Sequence, residues 1–155
     1  METETIMEIA NHEYYVSLEV AKLLKEAGFD WEVQSYYSKL SRYQGKLLWL
    51  SCGCKYKENI NTNQNRYSAP TLEVAQRWLR ETQKYQVAVL PNGLKGYAVL
   101  CFLYKEPITQ LFEHYSTYEE ALEIGIKKTL EIILEKGKGE FIINYNDNIK
   151  YVEML

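Results

Sequence analysis

The sequence repeats one helix start. Leu-Glu-Val-Ala follows a hydroxyl residue at Ser17-Leu18-Glu19-Val20-Ala21 and again at Thr71-Leu72-Glu73-Val74-Ala75. A Ser or Thr at that place accepts a hydrogen bond from the unpaired N–H groups of the first turn. The acid that follows complements the positive end of the helix dipole. A looser third copy, Tyr118-Glu119-Glu120-Ala121, follows Thr117, and Thr117 with Glu120 has capping-box spacing. Cap, acid and apolar residues are what any helix start requires. Identity over four residues with similar order downstream goes further and suggests an internal duplication.

These starts predict three helices. The first runs from Ser17 through Ala27 with Leu18, Ala21 and Leu24 as its apolar stripe, and Gly28 stops it. The second runs from Thr71 to about Thr82, entered through Pro70, with Leu72, Ala75, Trp78 and Leu79 on its apolar face. The third spans Thr117 to about Lys136, ends at Gly137, and carries Tyr118, Ala121, Leu122, Gly125, Thr129, Leu130 and Ile133 on one face.

A hairpin-like segment follows each of the first two helices. Trp31–Tyr37 and Gly45–Leu50 flank a polar stretch, and Val87–Leu90 and Tyr97–Tyr104 flank Pro91-Asn92-Gly93-Leu94-Lys95-Gly96. Asn-Gly between apolar runs is a strong hairpin signal. Cys52–Ala69 reads as a long connection rich in Asn, Lys and Gln, and Glu140–Val152 as a last short hairpin. The expected fold is α+β: an antiparallel sheet with helices on one face, in the order α-β-β-α-β-β-α with a β-rich tail. The length of 155 residues suits one domain. Its parts are a helix-hairpin unit at 11–52, a loop at 53–69, a second unit at 70–105, a third helix at 116–137 and a tail at 138–155.

Composition sets the class of protein. A 46% hydrophobic and 25% charged chain is that of an ordinary globular protein, not a disordered one. The acidic start Met1-Glu2-Thr3-Glu4-Thr5 lacks the basic and apolar regions of a signal peptide. No stretch reaches the ~20 apolar residues of a membrane helix. Three cysteines are an odd number and make no disulfide framework. The expectation is a cytoplasmic protein with no membrane partner. Fourteen tyrosines are the compositional anomaly; most fall in strand-like segments, where a ring can be buried and its hydroxyl kept at the wet edge.

The net charge of −3 hides an uneven distribution. Residues 1–30 and 111–155 are acidic, whereas residues 31–70 carry six basic and two acidic groups. Either the ends fold against the middle or the middle presents a basic face to a partner.

No catalytic constellation stands out. Cys52-Gly53-Cys54 has one residue between its thiols and no second pair, which falls short of a zinc site. Cys101 reads as a core residue of a strand. His12-Glu13 lacks the second His of a zincin helix. His114 reads as a turn or capping residue, and Glu119 and Glu120 as dipole partners. No catalytic residue, metal ligand or cofactor is assigned. A basic stripe is the best candidate site: Arg77, Arg80 and Lys84 at i, i+3 and i+7 of the second helix, with Arg66 and Tyr67 leading into it. Cations interleaved with aromatics can follow a nucleic-acid backbone and stack its bases, although a pI near 5.5 is low for such proteins.

Tyr67-Ser68-Ala69-Pro70-Thr71 with Gln76-Arg77-Trp78-Leu79-Arg80-Glu81 resembles a block of phage- and mobile-element-associated proteins of gut Bacteroidales. Val20–Phe29 and Tyr118–Ile126 resemble the N- and C-terminal blocks of the same family, so the similarity spans most of residues 14–135. The family carries no assigned activity. The resemblance implies a prophage or mobile-element setting and a cytoplasmic product, and it identifies kinship and not chemistry. The functional expectation is a non-enzymatic accessory protein that binds a macromolecular partner, a protein first of all. A nucleic-acid-binding module using Arg66, Tyr67, Arg77, Arg80 and Lys84 is the alternative. An enzyme with a pocket between the sheet and loop 52–69 is the third reading.

Overall fold

The computed structural model describes residues 8, 9, 11–50, 57–93, 96–103 and 109–136. The class is α+β, with three helices and two small antiparallel sheets among the described residues. The chain divides into two compact units, Met1–Trp78 and Leu79–Leu155. Cys52, Cys54 and Lys55, the end of the Tyr97–Tyr104 segment and the tail after Lys136 lie outside the described residues. Among the described residues no helix is long and apolar enough to cross a membrane.

In the first unit, helix α1 (Leu18–Glu26) begins as the sequence requires: the Ser17 hydroxyl accepts from the Val20 N–H at 3.3 Å. It ends on Gly28 at φ +92°, a left-handed conformation that glycine adopts without steric cost. The Gly28 and Phe29 N–H groups donate back to Lys25 and Leu24, closing a Schellman turn that drives Phe29 into the core. Strands β1 (Ser35–Ser38), β2 (Leu47–Trp49) and β3 (Arg66–Ser68) form the first sheet in the order β2-β1-β3. Tyr36 and Tyr37, on opposite faces of β1, are both buried, so this sheet is covered on both sides. The Tyr37 hydroxyl donates to the Val16 carbonyl at 2.8 Å just before α1.

Helix α2 (Leu72–Trp78) starts at Thr71, whose hydroxyl accepts from the Val74 N–H. Leu72, Ala75 and Trp78 are buried as expected. The regular α-helix stops at Trp78, however, and Leu79–Gln83 form a wider π turn. The expected helix to Thr82 is thus an α-helix with a π-helical end.

In the second unit, strands β4 (Tyr85–Asn92), β5 (Gly96–Leu103) and β6 (Thr109–Tyr115) form a meander in the order β4-β5-β6. The hairpin turns at Asn92-Gly93, with Gly93 at φ +68° and Asn92 paired to Gly96. Helix α3 (Tyr118–Lys136) packs across all three strands. Its buried face is Ala121, Leu122, Gly125, Ile126, Thr129 and Leu130. Tyr118, expected on that face, is instead 44% exposed and sets its ring edge-on to Tyr97 at 6.0 Å.

The structure departs from the expected order in two ways. Each sheet has a third strand, β3 from the presumed loop and β6 from the segment before α3. The strand that is central also differs, the first of three in one sheet and the second of three in the other. The repeated helix starts are not accompanied by repeated sheet connectivity.

Cys101 gives the second unit a pH dependence. Its thiol is buried and donates to the Gly125 carbonyl at 3.4 Å. Burial pushes it up to about 11, the Thr129 hydroxyl offsetting part of the rise. A group whose folded pKa is raised holds its proton longer in the folded state, so stability is intact below pH 9 and falls as pH rises towards 11. The loss should reach at most about 3 kcal/mol. Urea unfolding followed by circular dichroism at pH 8 and pH 10.5 checks this, and Cys101→Ala should flatten the difference between the two.

Candidate functional site

The first unit collects cations on aromatic rings. The centre is Tyr67 in β3. The Lys39, Lys25 and Lys22 ammonium groups lie 5.0, 5.3 and 5.9 Å from its ring centroid. Lys22 and Lys25 come from one face of α1, at i and i+3. Lys39 directly follows β1, and its N–H donates to the Asn65 carbonyl, tying it to the turn that precedes β3. Antiparallel pairing of Tyr37 with Tyr67 puts both rings on the face of the sheet that α1 covers.

Lys25 has a second duty. Its ammonium donates to the Asn63 carbonyl at 2.8 Å and to the Arg66 carbonyl at 2.7 Å, bracketing the turn that leads into β3. Burial and then the nearby Lys39 charge hold its pKa below the usual lysine value. No carboxylate lies within 4.0 Å of Lys22, Lys25, Lys39 or Arg66 among the described residues. Among the described residues the cluster is therefore electrostatically open. Each cation gains about 0.5–1 kcal/mol from the ring face, while like charges repel with no acid among the described residues to neutralise them.

The surrounding sequence keeps it so. Between Glu32 and Glu73 the chain carries a single acid, Glu58. The β1–β2 connection adds Arg42, stacked on Tyr43 at 5.1 Å, and Lys46, both exposed.

The structure brings together only part of the sequence-predicted site. Arg66 and Tyr67 are neighbours on β3 but point to opposite faces: the Arg66 guanidinium lies 4.4 Å from the Tyr36 ring, away from the lysines. Arg77 sits over Trp31 at 5.8 Å. Arg80 and Lys84 belong to the second unit. Lys84 is not on the second helix; it has a left-handed backbone, φ +63°, and its ammonium donates to the Glu81 carbonyl at 2.8 Å. The expected i, i+3, i+7 stripe fails because the helix widens into a π turn before Lys84 is reached. The Tyr67 ring, for its part, is half-buried and gathers ammonium groups. Lys22, Lys25 and Lys39 were outside the predicted set, although the helical spacing of the first two and the acid-free run around the third are visible in the sequence.

The second unit holds an open hollow of about 370 Å³ lined by Asn92, Gly96, His114, Tyr115 and Ser116. His114 is not a loop residue but part of β6, left-handed at φ +74° where the β5–β6 register shifts. Burial, then Cys101 and Glu120, raise the Tyr115 phenol above its usual value. The Ser116 N–H and hydroxyl both donate to the Glu120 carboxylate, completing the α3 cap with Thr117. Of the lining residues, Ser116 thus serves the helix start. Among the described residues no group of His, Cys, Asp and Glu could hold a metal ion.

Comparison of the chain with protein-family models, curated proteins and solved structures returns no match.

Proposed function

We propose that the protein is a non-enzymatic binding module whose first unit engages a polyanionic macromolecule at the Lys22–Lys25–Lys39 cluster. One observation carries this reading: three ammonium groups are gathered on the Tyr67 ring with no acid in reach among the described residues. A structural role would be met by Lys25 alone, which already satisfies two carbonyls. Lys22 and Lys39 are exposed and have no other partner among the described residues, so their placement adds repulsion that a polyanion would remove. Each phosphate or carboxylate brought to the cluster releases counterions and makes binding salt-dependent. The resemblance of the three helix blocks to mobile-element proteins supplies the setting: an accessory protein of a phage or mobile element.

The test is retention on heparin. The full chain should bind at about 50 mM salt despite its net negative charge, and Lys22→Glu/Lys39→Glu should weaken binding at least about tenfold. An unchanged circular dichroism spectrum would show that the variant folds. Passage of the unsubstituted chain through the column at that salt would end the reading.

A further inference from the structure

We infer that the polyanion is a single-stranded nucleic acid, its phosphates on Lys22, Lys25 and Lys39 and its base edges on the turn Asn63-Gln64-Asn65; this rests on the polyanion-binding reading above. The turn and the lysines form one surface. Lys25 donates to the Asn63 carbonyl, and the Lys39 N–H donates to the Asn65 carbonyl. The three amide residues are all exposed. The Asn63 side chain is spent on the turn, its Oδ1 accepting from the Asn65 N–H at 2.8 Å. The Gln64 and Asn65 side-chain amides have no partner among the described residues.

An amide carries both a donor and an acceptor and pairs with base edges in a bidentate way. Its N–H can also meet a carboxylate or a sulfate, but those groups are acceptors only, whereas a base edge sets a donor beside an acceptor and engages both halves of the amide at once. The surface thus combines two chemistries spaced by one short turn: fixed positive charge for a backbone, and free amides for polar edges beside it. The strand must be single. Base edges in a duplex lie within a groove, and reading them takes a protruding helix or two-stranded ribbon. Gln64 and Asn65 sit on a turn clamped to α1 by Lys25 and to the end of β1 by Lys39, so the bases have to come out to the protein. Tyr67 acts here as a collector of cations.

Fluorescence anisotropy with the full chain tests this, using a labelled mixed-sequence oligonucleotide about 20 nucleotides long, the matching duplex and poly-glutamate. The single strand should bind most tightly, with a slope of log K against log salt near −2 for three phosphates at about 0.7 each. Lys22→Ala/Lys39→Ala should reduce that slope by about 1.4. Gln64→Ala/Asn65→Ala should weaken single-strand binding about fivefold or more without changing the slope. If heparin is retained but duplex or poly-glutamate binds as tightly as the single strand, the inference is overturned and the polyanion site stands. An unaffected Gln64→Ala/Asn65→Ala variant also overturns it. If heparin is not retained, both fall.

Discussion

Replacing Gly125 by alanine should cost the second unit about 2 kcal/mol, although alanine is the better helix former. In an exposed helix the exchange would gain about 1 kcal/mol. Here a Cβ at position 125 would lie 2.5 Å from a Val99 methyl and 2.7 Å from a Val87 methyl, on β5 and β4. Both neighbours are β-branched, and their χ1 angles cannot swing aside as a long side chain would. Overpacking of this kind costs about 1–3 kcal/mol, and two clashes at once place it at the upper end. The same site explains the depth of Cys101 and Thr129. Both donate to the Gly125 carbonyl, at 3.4 and 2.8 Å, so any shift of α3 away from the sheet also disturbs those bonds. Gly125→Leu should abolish the fold of the unit. The sharper check is a cycle with Val99→Ala, measured by urea unfolding: the double variant should be more stable than the sum of the single losses by about 1–2 kcal/mol. Additive losses would mean that helix and sheet do not meet at Gly125.

What was legible in the sequence was local. Ser17, Thr71 and Thr117 cap their helices with the hydrogen bonds their positions foretell, because a cap and its N–H partner lie three residues apart. Asn92-Gly93 turns its hairpin for the same reason. The third strand of each sheet was not legible. Arg66-Tyr67-Ser68 sits in an Asn-rich run that reads as a loop, and only pairing with Ser38, Tyr37 and Tyr36 makes it a strand. The lysine cluster was hidden along with it. Lys22, Lys25 and Lys39 are ordinary solvated lysines until β3 brings Tyr67 beneath them, so the stripe drawn along the second helix took in Tyr67 and missed its partners. That stripe also assumed a helix of constant pitch. The π turn at Leu79–Gln83 changes the angular step, and no residue between Leu79 and Gln83 marks the change.

Trp78→Ala should bring the first unit close to unfolding. Trp78 is 1% exposed at the end of α2, and its ring meets Phe29 at 5.4 Å in an edge-on arrangement. Phe29 is equally buried and is placed there by the Schellman turn at Gly28, so one contact joins the end of α1 to the end of α2. Deleting a buried Trp side chain costs about 3–5 kcal/mol, because the lost transfer energy is joined by a cavity that stiff neighbours cannot close. A folded unit of this size holds roughly 4–12 kcal/mol in all, so the loss takes a large share of it. Trp78→Phe keeps most of the apolar surface and should cost far less. All three tryptophans of the chain fall in residues 1–78, and Trp31 and Trp49 remain as fluorescent reporters in either variant. The urea midpoint of their emission should drop sharply in Trp78→Ala and only slightly in Trp78→Phe. Phe29→Ala added to Trp78→Ala should cost less than its separate loss by about 0.5–1.5 kcal/mol, the share that belongs to the ring pair. Equal midpoints for Trp78→Ala and the unsubstituted chain would show that Trp78 is not part of the core, and with it would go the placement of α2 against the end of α1.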